Sequence, residues 1–251
     1  MLFRSSEKFT KFTNNNSEKN YTLNPILFLK MEKSVFVKHP SSVLNELYSK
    51  KNYQGANPVD AKIIFVGRDP NWAIDIENKQ MFAYVAEYLA DGVGFWKTHH
   101  IHHPFLLPNY KGDGKRYHKM FSKLKIQSGC ASQISFVELI GFPTTGMAKK
   151  SNKLFLAYLT SPENANHLVE LENLLNDSQK IIFIAWGLLE DFKYLNKKTG
   201  LFAKLAALDK AEMNIDDLNQ SGNIYIHRHF SDAISGTTLE RIETQVKLNL
   251  Q

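Results

Sequence analysis

The stretch Ala61-Lys-Ile-Ile-Phe-Val-Gly-Arg-Asp-Pro70 decides how this chain is read. Its apolar run, Ile63 to Val66, reads as a buried strand. The run stops at Gly67, and Asp69 follows, held by Pro70, whose ring fixes the local backbone and removes a donor. A carboxylate just past the end of an α/β strand stands where such sheets place their ligands. A plainer reading is also open, because an Asp at a strand end commonly caps the loop or helix that follows it.

Outward from this stretch, strands alternate with helices. Strands are expected over 62–66, 134–139, 180–185 and 224–226. Val43, Leu44, Leu47 and Tyr48 have helical spacing. Further helices are expected over 81–90, ended by Asp91-Gly92, over 117–124, over 188–195 and over 238–248. Another starts near Ser161-Pro162, a cap residue with Pro at the first helical position, and buries Leu168, Leu171, Leu174 and Leu175. Residues 92–116 read as an aromatic, histidine-rich loop. The alternation predicts an α/β protein, a three-layer α/β/α sandwich on a central, mainly parallel four-stranded sheet. Residues 1–60 read as a partly helical N-terminal extension, polar up to about residue 25, and 61–251 as one domain.

The chain has 251 residues, 43% of them hydrophobic, which is ordinary for a globular protein. It has no apolar run of about 18 residues, so no membrane span is expected. The first residues, Met1-Leu-Phe-Arg-Ser-Ser, have no signal-peptide core, and the single cysteine, Cys130, suits a reducing compartment; a cytoplasmic monomer is expected. The net charge of +6 allows a polyanionic partner without requiring one.

Several segments together resemble the uracil-DNA glycosylase superfamily, in a divergent form. Gly67-Arg-Asp-Pro-Asn-Trp72 is similar to the first motif of the uracil enzymes, Gly-Gln-Asp-Pro-Tyr-His. Phe82 lies thirteen residues past Asp69, near the spacing of the Phe on which a flipped base stacks. Phe95-Trp96-Lys97 and Ser135-Phe-Val-Glu-Leu-Ile-Gly-Phe-Pro-Thr144 resemble segments of the mismatch-specific branch. Ile181-Ile-Phe-Ile-Ala-Trp-Gly187 looks like the strand before the last motif, and His229-Phe-Ser-Asp-Ala-Ile-Ser235 resembles His-Pro-Ser-Pro-Leu-Ser. The resemblance spans roughly residues 61–248. It rests on order and spacing, since no single motif is specific.

The resemblance implies a monofunctional DNA glycosylase. It would flip a pyrimidine out of DNA, hydrolyse the bond between base and sugar and leave an abasic site, with no metal or cofactor. Asp69 would face the sugar cation and handle the water, and His229 would donate to the base oxygen, with His227 as its competitor one alternation earlier. Gly67, Arg68, Asn71, Phe82 and Glu138 would bind the base. Pro143, Thr144, Gly187, Ser231 and Ser235 would hold DNA, and Ile234 would be the wedge that fills the vacated stack. One extra residue between Ser231 and Ile234 departs from the family pattern and puts that loop's register in doubt.

Two departures bear on the substrate. Asn71 replaces the Tyr that crowds the base's 5-position in the uracil enzymes. Glu138 replaces an Asn whose amide both accepts and donates. An ionised carboxylate only accepts, which suits an amine-bearing edge such as cytosine's, whereas a protonated one would mimic the amide. The substrate expected is therefore either a 5-substituted cytosine (hydroxymethylated or glucosylated, as in phage DNA) or a uracil or mismatched base in repair. A one-residue slip would instead turn Glu138 away from the site. The rival readings are a catalytically silent relative that recognises modified or damaged DNA, and an unrelated α/β protein; no Gly-x-Ser-x-Gly or phosphate-loop Lys supports the latter. His99, His100, His102 and His103 fit no zinc pattern. They read either as a solvated loop or as phosphate contacts made by His99 and His103 with Lys97 and Lys111.

Overall fold

β2 (Ile63–Gly67) sits inside a six-stranded sheet of order β1-β3-β2-β4-β6-β5. The computed structural model describes residues 38–112, 114–145 and 151–250. The compact unit that holds all of these begins at Ser34, and the polar arm expected up to residue 25 lies outside the described residues. β3 (Ile134–Glu138), β2, β4 (Ile181–Ala185) and β6 (Ile224–His227) run parallel. They are the four predicted strands, displaced by a residue or so. The predicted count of four is nevertheless corrected. β1 (Tyr53–Gly55) pairs antiparallel with β3, and β5 (Asn219–Ser221) pairs antiparallel with β6. β1 lies within the stretch read as an extension, so the sheet begins before residue 61.

The strand alternation sorts the core into two faces. Ile64, Val66, Val137, Ile182, Ile184, Ile224 and Ile226 face one way. They pack against Phe155 and Leu159 of α5 (Asn152–Leu159), Leu168, Leu171 and Leu175 of α6 (Pro162–Asn176) and Leu189, Phe192 and Leu195 of α7 (Leu188–Thr199). Ile63, Phe65, Ile134, Phe136, Phe183 and Tyr225 face the other way. They meet Trp96 of α3 (Gly92–His99), Phe121 of α4 (Lys115–Phe121) and Ile242 and Val246 of α9 (Gly236–Asn249). On this second face Phe136, Phe65, Phe183 and Tyr225 are register partners on successive strands. Their rings stack in a row at centroid distances of 5.6, 4.8 and 5.1 Å.

The expected loop over 92–116 begins instead with helix α3. The Asp91 carboxylate accepts from the Gly94 N–H at 2.8 Å and caps it, and buried Phe95 and Trp96 anchor it, which outweighs the two glycines at its start. Two smaller hydrophobic elements complete the set. α1 (Ser42–Lys50) packs on α2 (Phe82–Ala90), and α8 (Ala203–Ala206) packs on α7. Among the described residues no helix is long and apolar enough to cross a membrane.

Candidate active site

Counting only the parallel strands, the spatial order is second-first-third-fourth, and the direction of winding reverses at β2. A sheet of this kind opens a crevice at the carboxyl ends of its strands, beside the reversal. A cavity of about 210 Å³ lies there. Its lining includes Gly67, Arg68, Asp69, Asn71 and Trp72 after β2, Glu138 at the end of β3, and His229 and Ser231 after β6. Phe65 and Phe136 form part of its wall, His103 and Phe105 contribute from the segment between α3 and α4, and Tyr117 and His118 from α4.

The Asp69 loop is braced from behind. The Thr144 N–H donates to the Pro70 carbonyl at 3.0 Å, and the Trp72 N–H donates to the Thr144 carbonyl at 3.0 Å. The Trp72 indole N–H donates to the Tyr48 hydroxyl at 3.0 Å, tying the loop to α1. Such bracing suits a side chain that must hold its direction, because rigid surroundings limit what each substrate encounter must reorganise.

Glu138 is the Cα partner of Gly67 across the sheet. Its carboxyl lies directly over Gly67, so any Cβ at position 67 would collide with it. Period-2 alternation places Glu138 on the same face as Phe136, toward the cavity, and the register slip that would turn it away does not occur. Protein packed around the carboxyl pushes its pKa up to about 8, and the neighbouring Asp69 adds to the rise. At neutral pH Glu138 is therefore mainly a neutral acid, with one O–H donor and a carbonyl acceptor.

His229 accepts the Ser231 backbone N–H at its Nδ1, at 3.1 Å. The neutral ring then carries its proton on Nε2. Burial is the main influence that lowers the His229 pKa, the Arg68 charge lowers it further, and Asp232 opposes both. The imidazole is thus held neutral with one N–H to donate, and the Tyr117 ring lies 5.2 Å away. His227 is buried outside the cavity. Its Nδ1–H donates to the Arg228 carbonyl at 2.7 Å, and burial pulls its pKa down to about 4. Of the two candidates, only His229 is brought to Asp69 and Glu138.

Other predicted residues lie elsewhere. Phe82 opens α2 and packs with Leu44, Tyr48 and Val85, not at the cavity, because helical spacing puts positions 82, 85 and 89 on one face. Arg68 lines the cavity, but its guanidinium is committed to the opposite face of the sheet. It makes a two-point ion pair with Asp191 at 2.7 and 2.8 Å, donates to the Asn152 side chain and lies over the Phe155 ring. Pro143 and Thr144 are buried behind the Asp69 loop and present nothing to a phosphate. Gly187 is exposed at the start of α7 and is not among the lining residues. Ile234 is half-buried against the aromatic core, and the Ser235 hydroxyl is engaged as the cap of α9, accepting from the Thr238 N–H.

The histidine run divides. His99 pairs with Glu87 at 2.8 Å. His103 is buried and stacks on His118 at 3.6 Å, and His102 reaches His118 at 3.1 Å, so His103 is a cavity wall and no phosphate contact. Burial holds all three of these imidazoles neutral, with His102 pulled down to about 3. Among the described residues no group of three or more His, Cys, Asp or Glu is placed to hold a metal ion. The sequence reading missed Gln54, His103, Phe105, Tyr117 and His118 as lining residues. The density of aromatics and histidines between 95 and 118 pointed toward the last four, and nothing pointed toward Gln54.

Comparison of the chain with protein-family models, curated proteins and solved structures finds no match.

Proposed function

We propose that this protein is a monofunctional DNA glycosylase of the uracil-DNA glycosylase type, which receives a flipped pyrimidine in the cavity above β2 and hydrolyses its N-glycosidic bond. The observation that carries the reading is that Asp69 and His229, from the ends of different strands, line one small aromatic-walled cavity together with Glu138.

In this reading the bond from C1′ to the base nitrogen breaks, and the electron pair leaves with the base. The neutral His229 donates Nε2–H to the base oxygen on which negative charge grows. Asp69 stabilises the sugar cation, and a water attacks C1′ and passes a proton to the Asp69 carboxylate. The departed base anion is protonated by solvent. Phe65, Phe105, Phe136 and Tyr117 supply apolar ring surface around the base, replacing the stacking it loses.

The test is an excision assay on oligonucleotides that carry uracil, thymine mispairs, 5-hydroxymethylcytosine or its glucosylated form. The expected result is release of at least one base, leaving an alkali-labile site. Tight, base-dependent DNA binding with no release from any of them would favour the silent relative instead.

A further inference from the structure

We infer that Glu138 reads the pairing edge of the flipped base as a neutral carboxylic acid, so that one residue accepts both amine-edged and carbonyl-edged pyrimidines and fails for both once it ionises. The inference rests on the glycosylase reading and specifies its substrate class.

The geometry supplies the reason. The Glu138 carboxyl lies over Gly67 in the same small cavity as Asp69. Two carboxyls that share one cavity raise the cost of both being charged, which favours a proton on one of them. Asp69 stands on a loop braced by backbone bonds, whereas Glu138 ends an interior strand close enough to Tyr48 of α1, Tyr88 of α2 and Tyr117 of α4 to act on their ionisation. The phenols of these three tyrosines are kept in their neutral form by burial, and Glu138 itself pushes their pKa values higher. The imidazoles lining the cavity, His103, His118 and His229, are held neutral as well. The cation of the lining, Arg68, has its charge taken by Asp191. The surroundings of Glu138 therefore offer one negative neighbour and no free positive one among the described lining residues, which agrees with the upward displacement of its titration to about 8.

A carboxylic acid can present its two oxygens in either order. Facing cytosine it donates O–H to N3 and accepts from the N4 amine. Facing uracil it accepts from N3–H and donates to O4. The ionised form has lost its donor and leaves N3 of cytosine, or O4 of uracil, against a bare negative oxygen. In an enclosed site that mismatch is costly. Choice between bases then falls to other terms, such as how readily a base leaves its stack.

The experiment measures binding of single-stranded oligonucleotides that differ only at one 2′-fluoro nucleotide, carrying uracil, cytosine or no base, at pH 6.5 and pH 9.0. Single strands remove differences in pairing, and the fluorine blocks release. Wild-type protein should prefer both base-bearing strands over the abasic one, by factors within about tenfold of each other, at pH 6.5. At pH 9.0 both preferences should fall about tenfold. Glu138→Gln, whose amide keeps a donor at every pH, should retain both preferences and lose that fall. A greater than hundredfold choice between uracil and cytosine at pH 6.5, or the same alkaline fall in Glu138→Gln, overturns the inference and leaves the glycosylase reading standing. No preference for either base over the abasic strand overturns both. Carbon-13 NMR of the Glu138 carboxyl checks the chemistry separately, since titration near the ordinary value for glutamate would contradict it.

Discussion

The two faces of the sheet are built from different side chains and do different work. One is aliphatic, with Ile64, Val66, Val137, Ile182 and Ile184 packed against leucine-rich helices. The other is aromatic, with a row of four stacked rings from Phe136 to Tyr225, and beyond the end of this row the cavity opens. Consecutive residues after β2 divide between them. Arg68 turns its guanidinium to the aliphatic side, where Asp191 holds it, while Gly67 and Asp69 serve the cavity. The aliphatic face therefore works as a foundation. The aromatic face carries flat rigid surfaces and polar groups at one end, which is what a site for a flat heterocycle requires.

The sharpest way to break this contrast is to change one residue that serves each face of the sheet. Asp69→Asn should lower base release by about 10²–10⁴-fold, the usual worth of a general base, with little change in thermal stability. Arg68→Ala should behave in the opposite sense. It leaves the Asp191 carboxylate, 3% exposed, without its partner. The expected loss is about 3 kcal/mol of stability, or a fall of roughly 6–12 °C in Tm for a chain of this size. Folded Arg68→Ala protein should still release base. If Arg68→Ala abolished release at full stability, the guanidinium would belong to the site and the division of labour would be wrong.

Much of this division was legible in the sequence. The strand 63–66 with Asp69 beyond it and the helix that opens at Ser161-Pro162 depend on local spacing and appear in the structure, although the Ser161 hydroxyl makes no capping hydrogen bond. Phe82 packs against the core cluster of α1 and α2 and does not line the cavity, as befits an aromatic at the start of an amphipathic helix. The edge strands β1 and β5 escaped notice because three-residue polar strands, Tyr-Gln-Gly and Asn-Gln-Ser, owe their form to pairing with a neighbour and not to their own pattern. His103, Tyr117 and His118 reach the cavity through the tertiary packing of α4 and of the segment before it, which no local spacing encodes.

Acid sharpens the comparison further, because two buried histidines, His102 and His227, sit on the aromatic side. His102 and His227 have folded pKa values lowered to about 3 and about 4. Depressed groups of this kind stabilise fully above the unfolded value near 6.5 and lose that contribution as pH falls toward the folded values. Each should cost about 2 kcal/mol at pH 5. Denaturant unfolding followed between pH 7 and pH 5 should show a steep loss, reduced by about one histidine's share in His102→Phe.

Glu138 contributes with the opposite slope. Its raised folded pKa favours the fold below about 4.5, and that advantage is lost as pH rises through about 8. Glu138→Gln should therefore raise stability at pH 8, by about 1–2 kcal/mol once water in the open cavity is allowed for, and change it little at pH 4.5. Differential scanning calorimetry at the two pH values measures it. Equal effects at both would mean that the carboxyl is not enclosed.

The most direct measurement is the single-turnover rate of base release from a uracil- or modified-cytosine-containing oligonucleotide by wild type, Asp69→Asn and His229→Ala, each shown by its melting curve to be folded. The convergence of these two side chains on one cavity predicts release by the wild type and a loss of at least a hundredfold in each variant. Release that survives both substitutions unchanged, or no release from any oligonucleotide of the panel, would contradict it.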